Sequence, residues 1–157
     1  MPERINFVAL DGVPLIKPGD DLVEIIINAL SLSGESLQDG DVLVLAQKIV
    51  SKAEDRIIDL NTVSPREEAF RIASKIGKDP RQIELVLQES KEIVRSRPGV
   101  VIVEQNLGIV MANAGIDHSN VDGALDNELV LLLPLNPDES ASLIRKEINQ
   151  KLGVSIG

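Results

Sequence analysis

Three times this sequence writes the same instruction for starting a helix. Ser64-Pro65-Arg66-Glu67, Asp79-Pro80-Arg81-Gln82 and Asn136-Pro137-Asp138-Glu139 each put a capping side chain first, proline second and Glu or Gln fourth. The cap oxygen accepts from a backbone N–H that the helix leaves unpaired, and the Glu or Gln reaches back to the N–H of the cap residue. Proline suits the first helical position because no helical bond needs its missing N–H. Gly77 and Gly153 offer left-handed ends to the first and last of these helices. Any fold must accept helices entered at these three points, with strands fitted around them.

The strand signals are shorter. Residues 4–10 read as a strand closed by the Asp11-Gly12 turn. Asp20 or Asp21 then caps a helix with Leu22, Ile25, Ile26 and Leu30 at helical spacing, ending near Gly34. Val42-Leu43-Val44-Leu45 is apolar on both faces, as a central buried strand is. After an intervening polar loop, residues 57–60 continue the sheet. Residues 100–103 and 109–112 flank Asn106-Leu107-Gly108 as a hairpin, with glycine available for positive φ. Strands and helices in this mixed order predict an α/β (mixed α+β) domain: a mixed sheet with flanking helices.

Composition narrows the function. Phe7 and Phe70 are the only aromatic residues, so the core must be built from Ile, Leu, Val and Ala. No aromatic platform for single-stranded nucleic acid can be assembled from them. The net charge of −9, from 25 acidic and 16 basic residues, repels polyanions and anionic membranes. A small anionic ligand stays open wherever a few Lys or Arg gather. The absence of cysteine removes disulfides, thiolate nucleophiles and Cys-based zinc sites. With no signal peptide and no bilayer-length apolar run, the expectation is a soluble cytoplasmic protein without nucleic-acid or membrane partners.

Three segments carry chemistry. Asn113-Ala114-Gly115-Ile116-Asp117-His118-Ser119-Asn120 follows a predicted strand and holds a carboxylate, two amides and a hydroxyl around a glycine. Such hard oxygens suit Mg²⁺ or Mn²⁺, although composition alone favours a capped polar loop. Lys48 and Lys52 leave the predicted central strand and can neutralise phosphate oxygens at a strand end; lysines snorkelling at a sheet edge account for them equally well. Gly12-Val13-Pro14-Leu15-Ile16 could grip a base or phosphate with backbone N–H groups, but it lacks the glycine spacing of the standard phosphate loops, and a structural turn accounts for it better. His118 has no nucleophile partner and is assigned either a supporting role behind the residues that touch a ligand or an incidental one. Asp122, Asp126 and Glu128 form an acidic stretch that could approach a metal, but a solvated loop is the better reading.

In that order, Gly12-Val13-Pro14-Leu15-Ile16-Lys17, Asp39-Gly40-Asp41-Val42, Gln47-Lys48-Ile49-Val50-Ser51-Lys52-Ala53-Glu54, Asn113 to Asn120, and Leu131-Leu132-Leu133-Pro134 before Asn136-Pro137-Asp138 resemble the coenzyme F420-0:gamma-glutamyl ligase family. The resemblance covers essentially the whole chain. It implies a GTP-dependent ligase that joins L-glutamate to F420-0, with Mg²⁺ or Mn²⁺ and a monovalent cation as cofactors and a homodimeric assembly. It also implies roles by position: Gly12, Val13, Pro14 and Leu15 in the nucleotide-binding loop, Gln47, Lys48, Lys52 and Asn120 at GTP, and Asp117 as a metal ligand. Lys52 and Asp117 would then be the catalytic residues.

Two departures accompany the resemblance. Asp55 stands where the family usually has glycine, which adds charge and restricts the backbone beside the proposed site. The family's later Asp-Thr-x-Gly-Arg motif does not occur, and Val154-Ser155-Ile156 opens a strand-like pattern at the end of the sequence. Residues 1–157 are therefore expected to be the N-terminal portion of a ligase-like domain with little activity alone. The alternative is a non-catalytic GTP-binding or assembly module that keeps half of the ligase architecture.

Overall fold

The computed structural model describes residues 5–118 and 128–157. In chain order the elements are α1 (Leu22–Ser33), α2 (Gln47–Ala53), β1 (Ile57–Asp59), α3 (Glu67–Ile76), α4 (Pro80–Gln88), β2 (Ser90–Arg97), β3 (Val100–Gln105), β4 (Val110–Ala112), β5 (Leu129–Leu131) and α5 (Pro137–Leu152). They fall into two compact units, Met1–Asp55 with Pro137–Gly157, and Arg56–Asn136.

The first unit is helical. Asp21 caps α1 by accepting from the Glu24 N–H at 3.0 Å, and Gly34 ends it in the left-handed region. The apolar face of α1 (Val23, Ile26 and Leu30) closes over Ile148 of α5 and over Ile156. Outside this contact, Lys151 of α5 binds Glu24 of α1 at 2.5 Å and Glu147 at 3.0 Å.

Two expectations fail here. No strand forms among residues 5–10, and none at Val42-Leu43-Val44-Leu45. Leu43 and Leu45 pack on the α1–α5 core, whereas Val42 and Val44 are 71% and 80% exposed. The run is thus buried on one face, and its ladder is confined to bonds such as Leu43 N–H to Gly157 O at 3.0 Å and Gly157 N–H to Asp41 O at 2.9 Å.

The second unit contains both sheets, and the mixed α/β class is borne out. Its strands pair antiparallel, β1 with β5 and β2-β3-β4 in chain order. The alternating burial of β3 places Val101 and Val103 against Ala69, Ile72 and Ile76 of α3 and Ile83 of α4. A second cluster joins Leu60, Leu85, Val130 and Leu132. As composition requires, the core is aliphatic; Phe7 and Phe70 are 90% and 53% exposed.

Of the three helix starts, α4 and α5 begin on their prolines, and Asp79 caps α4 through the Arg81 N–H at 2.8 Å. The start at Ser64-Pro65 is corrected: α3 begins at Glu67, after Arg66. The Arg66 N–H donates to Glu84 of α4 at 2.9 Å, so a tertiary bond sets that entry. The hairpin forms as expected, with Gly108 at φ +83°. β2 was not foreseen in its polar sequence. The stretch after residue 45 was expected to be a loop, but it contains α2.

Candidate functional site

The lysine segment is helical, with Gln47, Lys48, Ser51 and Lys52 on α2. The strand end that was to present these lysines does not exist. A four-residue spacing on a helix puts Lys48 and Lys52 on one face, and Gln47 and Ser51 on another. Gln47 Nε2 donates to the fully buried Ser51 hydroxyl at 2.6 Å, which holds the amide along the helix. Two like charges four residues apart cost ~0.2–0.5 kcal/mol, a cost that any neighbouring anion offsets. The helix closes on Asp55, a non-glycine residue at φ +55°, whose N–H donates to Lys52 O at 3.1 Å. Glycine would be relaxed at that φ.

The N-terminal loop meets this helix within the same unit. Gly19 N–H donates to Ala53 O, the last residue of α2, at 2.9 Å. Upstream, the Asp11 N–H is held by the Ser33 hydroxyl at 2.9 Å, and the Lys17 N–H by Asp20 at 2.7 Å. Ile16 is buried, and between these anchors Gly12, Val13, Pro14 and Leu15 are exposed. Gly12 sits at φ +76°, and a Cβ there would lie 2.6 Å from the end of the Leu32 side chain. Gly12–Leu15 and Gln47–Lys52 therefore belong to one compact unit, in which Gly19, downstream of the loop, is bonded to the end of α2.

Asp117 belongs to the second unit. Asn113, Ala114 and Gly115 leave β4 at φ +51°, +54° and +72°. Each non-glycine residue so placed costs ~1–2 kcal/mol, and the surroundings hold both. Ala114 is buried, while Asn113 Oδ1 accepts from Lys78 Nζ at 3.0 Å and from Val101 N–H at 3.5 Å. At Gly115 a Cβ would lie 2.9 Å from Leu133. This turn lays Asp117 beside β5, where its N–H and C=O bond Leu131 at 2.9 and 2.8 Å.

Among the described residues no group of three His, Cys, Asp or Glu side chains could hold a metal. Asp117 supplies one hard oxygen donor. That fits an ion such as Mg²⁺, which takes one or two carboxylates and completes its shell with phosphate and water. Asn120, the other residue assigned from this motif, lies outside the described residues, as do Asp122 and Asp126. Glu128 forms an ion pair with Arg81 at 2.9 Å, and Arg81 also binds Asp79 at 2.6 Å. The Arg81 guanidinium holds the Asp79 carboxyl below its usual range.

A pocket of about 100 Å³ lies in the second unit, lined by Lys78, Gln82, Asn113 and His118 over Ile83, Val86, Ile116 and Val130. Sequence reasoning missed Lys78 and read Gln82 only as a capping residue. Nothing in a lysine following a helix-ending glycine marks it as part of a pocket.

Comparison with known proteins agrees with the motif order. The profile of the F420-0:gamma-glutamyl ligase family matches residues 12–157. A coenzyme F420:L-glutamate ligase of Methanothermobacter thermautotrophicus is 44% identical over 149 residues, covering 95% of this chain and 58% of that protein. The ligase of the same name from Archaeoglobus fulgidus is 41% identical over 155 residues, covering 98% and 58%. That of Methanopyrus kandleri is 40% identical over 151 residues, covering 94% and 56%. The chain thus spans somewhat less than three-fifths of the length of these relatives. A profile match from Gly12 to the last residue, with identities of this size over nearly all of the sequence, shows that the chain belongs to the F420-0:gamma-glutamyl ligase family.

Proposed function

We propose that this chain serves a GTP-dependent ligase that joins L-glutamate through gamma-glutamyl amide bonds to F420-0. Among the structural features, the one that carries the reading is the joining of the Gly12–Leu15 loop to the lysine helix through the Gly19–Ala53 bond. An exposed glycine-containing loop in the same unit as two ammoniums on one helical face is suited to an anionic, phosphate-bearing ligand.

In this reading Lys48 and Lys52 neutralise phosphate oxygens, and Gln47, fixed by Ser51, adds an amide contact. The terminal phosphoryl group of GTP passes to a carboxylate of F420-0, giving an acyl phosphate and GDP. The amine of glutamate then attacks the acyl carbon and loses a proton, the amide C–N bond forms, and the C–O bond breaks with its electron pair leaving on inorganic phosphate. Water must be kept from the acyl phosphate for glutamate to win. Asp117 would hold a divalent ion, which when bound spreads the charge of the transferring phosphoryl group. Asn120 and a monovalent cation complete the assignment drawn from the family, and a homodimer is the assembly to test by sedimentation.

Calorimetric titration of GTP, with and without Mn²⁺, tests the nucleotide site. Binding should require the metal, weaken at least ~10-fold in Lys52→Ala, a loss of about 1.4 kcal/mol, and lose its metal dependence in Asp117→Ala. Equal affinity in all three proteins would remove the basis of the reading.

A further inference from the structure

The pocket of the second unit has a chemistry of its own. Four segments converge on it: Lys78 from the α3–α4 connection, Gln82, Ile83 and Val86 from α4, Asn113, Ile116 and His118 after β4, and Val130 from β5. Among the described residues its polar wall contains an ammonium, two amides and an imidazole, and no carboxylate, in a chain whose net charge is −9. Such a lining selects an anion. Four aliphatic side chains form the rest of the wall, which suits the carbon skeleton of an organic acid better than the fully hydrated surface of inorganic phosphate.

The polar groups are also pre-set. Asn113 Oδ1 is occupied by Lys78 Nζ at 3.0 Å and Val101 N–H at 3.5 Å, so the donor end of that amide is the one available to a ligand. An ammonium has three N–H donors, and the bond to Asn113 takes one. The backbone carrying Asn113 and Ala114 is held in the left-handed region, the kind of strain that collects at binding sites.

This pocket is separate from Asp117. Ile116 and His118 are two residues apart on the segment beside β5 and both line it; Asp117, between them, does not. In an extended segment alternate side chains take opposite faces, so the Asp117 carboxylate belongs to the other side.

We infer that this pocket is a second ligand site, a small-carboxylate subsite in which Lys78, the Asn113 amide and Gln82 hold the acid group of a compact organic acid. Its volume of about 100 Å³ suits a molecule of amino-acid size.

The test is an NMR titration of the isotopically labelled 157-residue chain with L-glutamate, glutarate and inorganic phosphate. L-Glutamate and glutarate should shift the Lys78, Gln82, Asn113 and Ile116 amides, with a Kd on the order of 1 mM. Lys78→Gln should weaken this at least ~10-fold, while Lys78→Arg keeps it and Mn²⁺-dependent GTP binding stays as in the parent chain. No shifts with either acid, shifts of equal size with phosphate, or an unchanged response in Lys78→Gln would each overturn the assignment. Calorimetry with GTP on the same samples reads the nucleotide site separately, so either site can fail while the other stands.

Discussion

Glu84 is the buried charge on which the second unit leans. It is 2% exposed and accepts from the Arg66 N–H at 2.9 Å, Arg66 Nε at 2.8 Å and Gln88 Nε2 at 3.0 Å. Burial pushes its carboxyl up, but the Arg66 N–H, the Gln88 amide and the Arg66 guanidinium outweigh this and hold it below the ordinary range. A carboxyl lowered on folding contributes its full stability above the unfolded value near 4.5, and loses it as pH falls through the lower folded value. Glu84→Gln should therefore cost ~2 kcal/mol at pH 7, since bonds to a charged acceptor are worth ~1.5–3 kcal/mol. Below the folded value the difference should shrink towards zero. Urea unfolding at both pH values measures it; a constant difference would show that shape, not charge, is what Glu84 provides. At this scale, sequence reading was uneven. Lys52 and Asp117 could be singled out because they sit in motifs that occur in order, whereas the partners of Glu84 and Lys78 lie 18 and 35 residues away. No local pattern records such contacts.

Helix α2 shows how an element can be hidden from pattern reading. It has seven residues, its N-cap is Ala46 with no side-chain cap bond, and its end is Asp55 rather than glycine. The start signals that made α4 and α5 legible are missing, and so is a closing glycine such as Gly153 of α5. Its C-terminal turn is nevertheless made, by Glu54 N–H to Val50 O at 2.9 Å and Asp55 N–H to Lys52 O at 3.1 Å. Asp55 is exposed at φ +55°, so the closure carries backbone strain that glycine would not. Aspartate tolerates that region better than most residues. Asp55→Gly should stabilise the chain by ~0.5–1 kcal/mol, the relieved strain exceeding the extra entropy that glycine gives the unfolded state. A raised midpoint in urea with an unchanged slope would show it; a lowered midpoint would mean that the Asp55 side chain itself holds the turn. β2 was missed for the complementary reason. Ser90–Arg97 has only Ile93 and Val94 as apolar residues, too few to show an alternating pattern, and its strand identity comes from pairing with β3 across two register shifts. Val42-Leu43-Val44-Leu45 erred the other way, because apolar residues on two faces do not reveal whether a second layer covers both.

Across the whole chain, charge and exposed apolar surface act against each other. Ile5, Phe7, Val42 and Val44 are each at least 71% exposed, all in the first unit. At pH 7 every copy carries a net charge of −9, which opposes the approach of two such surfaces. The sequence pI is about 4.6, so that repulsion vanishes in mild acid while the apolar area remains. Scattering mass should accordingly stay constant from pH 8 to about 6 and rise steeply towards the pI. Salt should have the same direction at pH 7 and a smaller effect, because screening at ~0.15 M still leaves a decay length of ~8 Å. Acid unfolding would also expose apolar surface, so far-UV and near-UV circular dichroism must be followed on the same samples. If the spectra are unchanged where the mass begins to rise, the folded surface is responsible. The double variant Phe7→Ser with Val44→Ser should then move the rise to lower pH or abolish it. A rise that ignores both substitutions would place the sticky surface elsewhere and leave these exposed residues without a part in association.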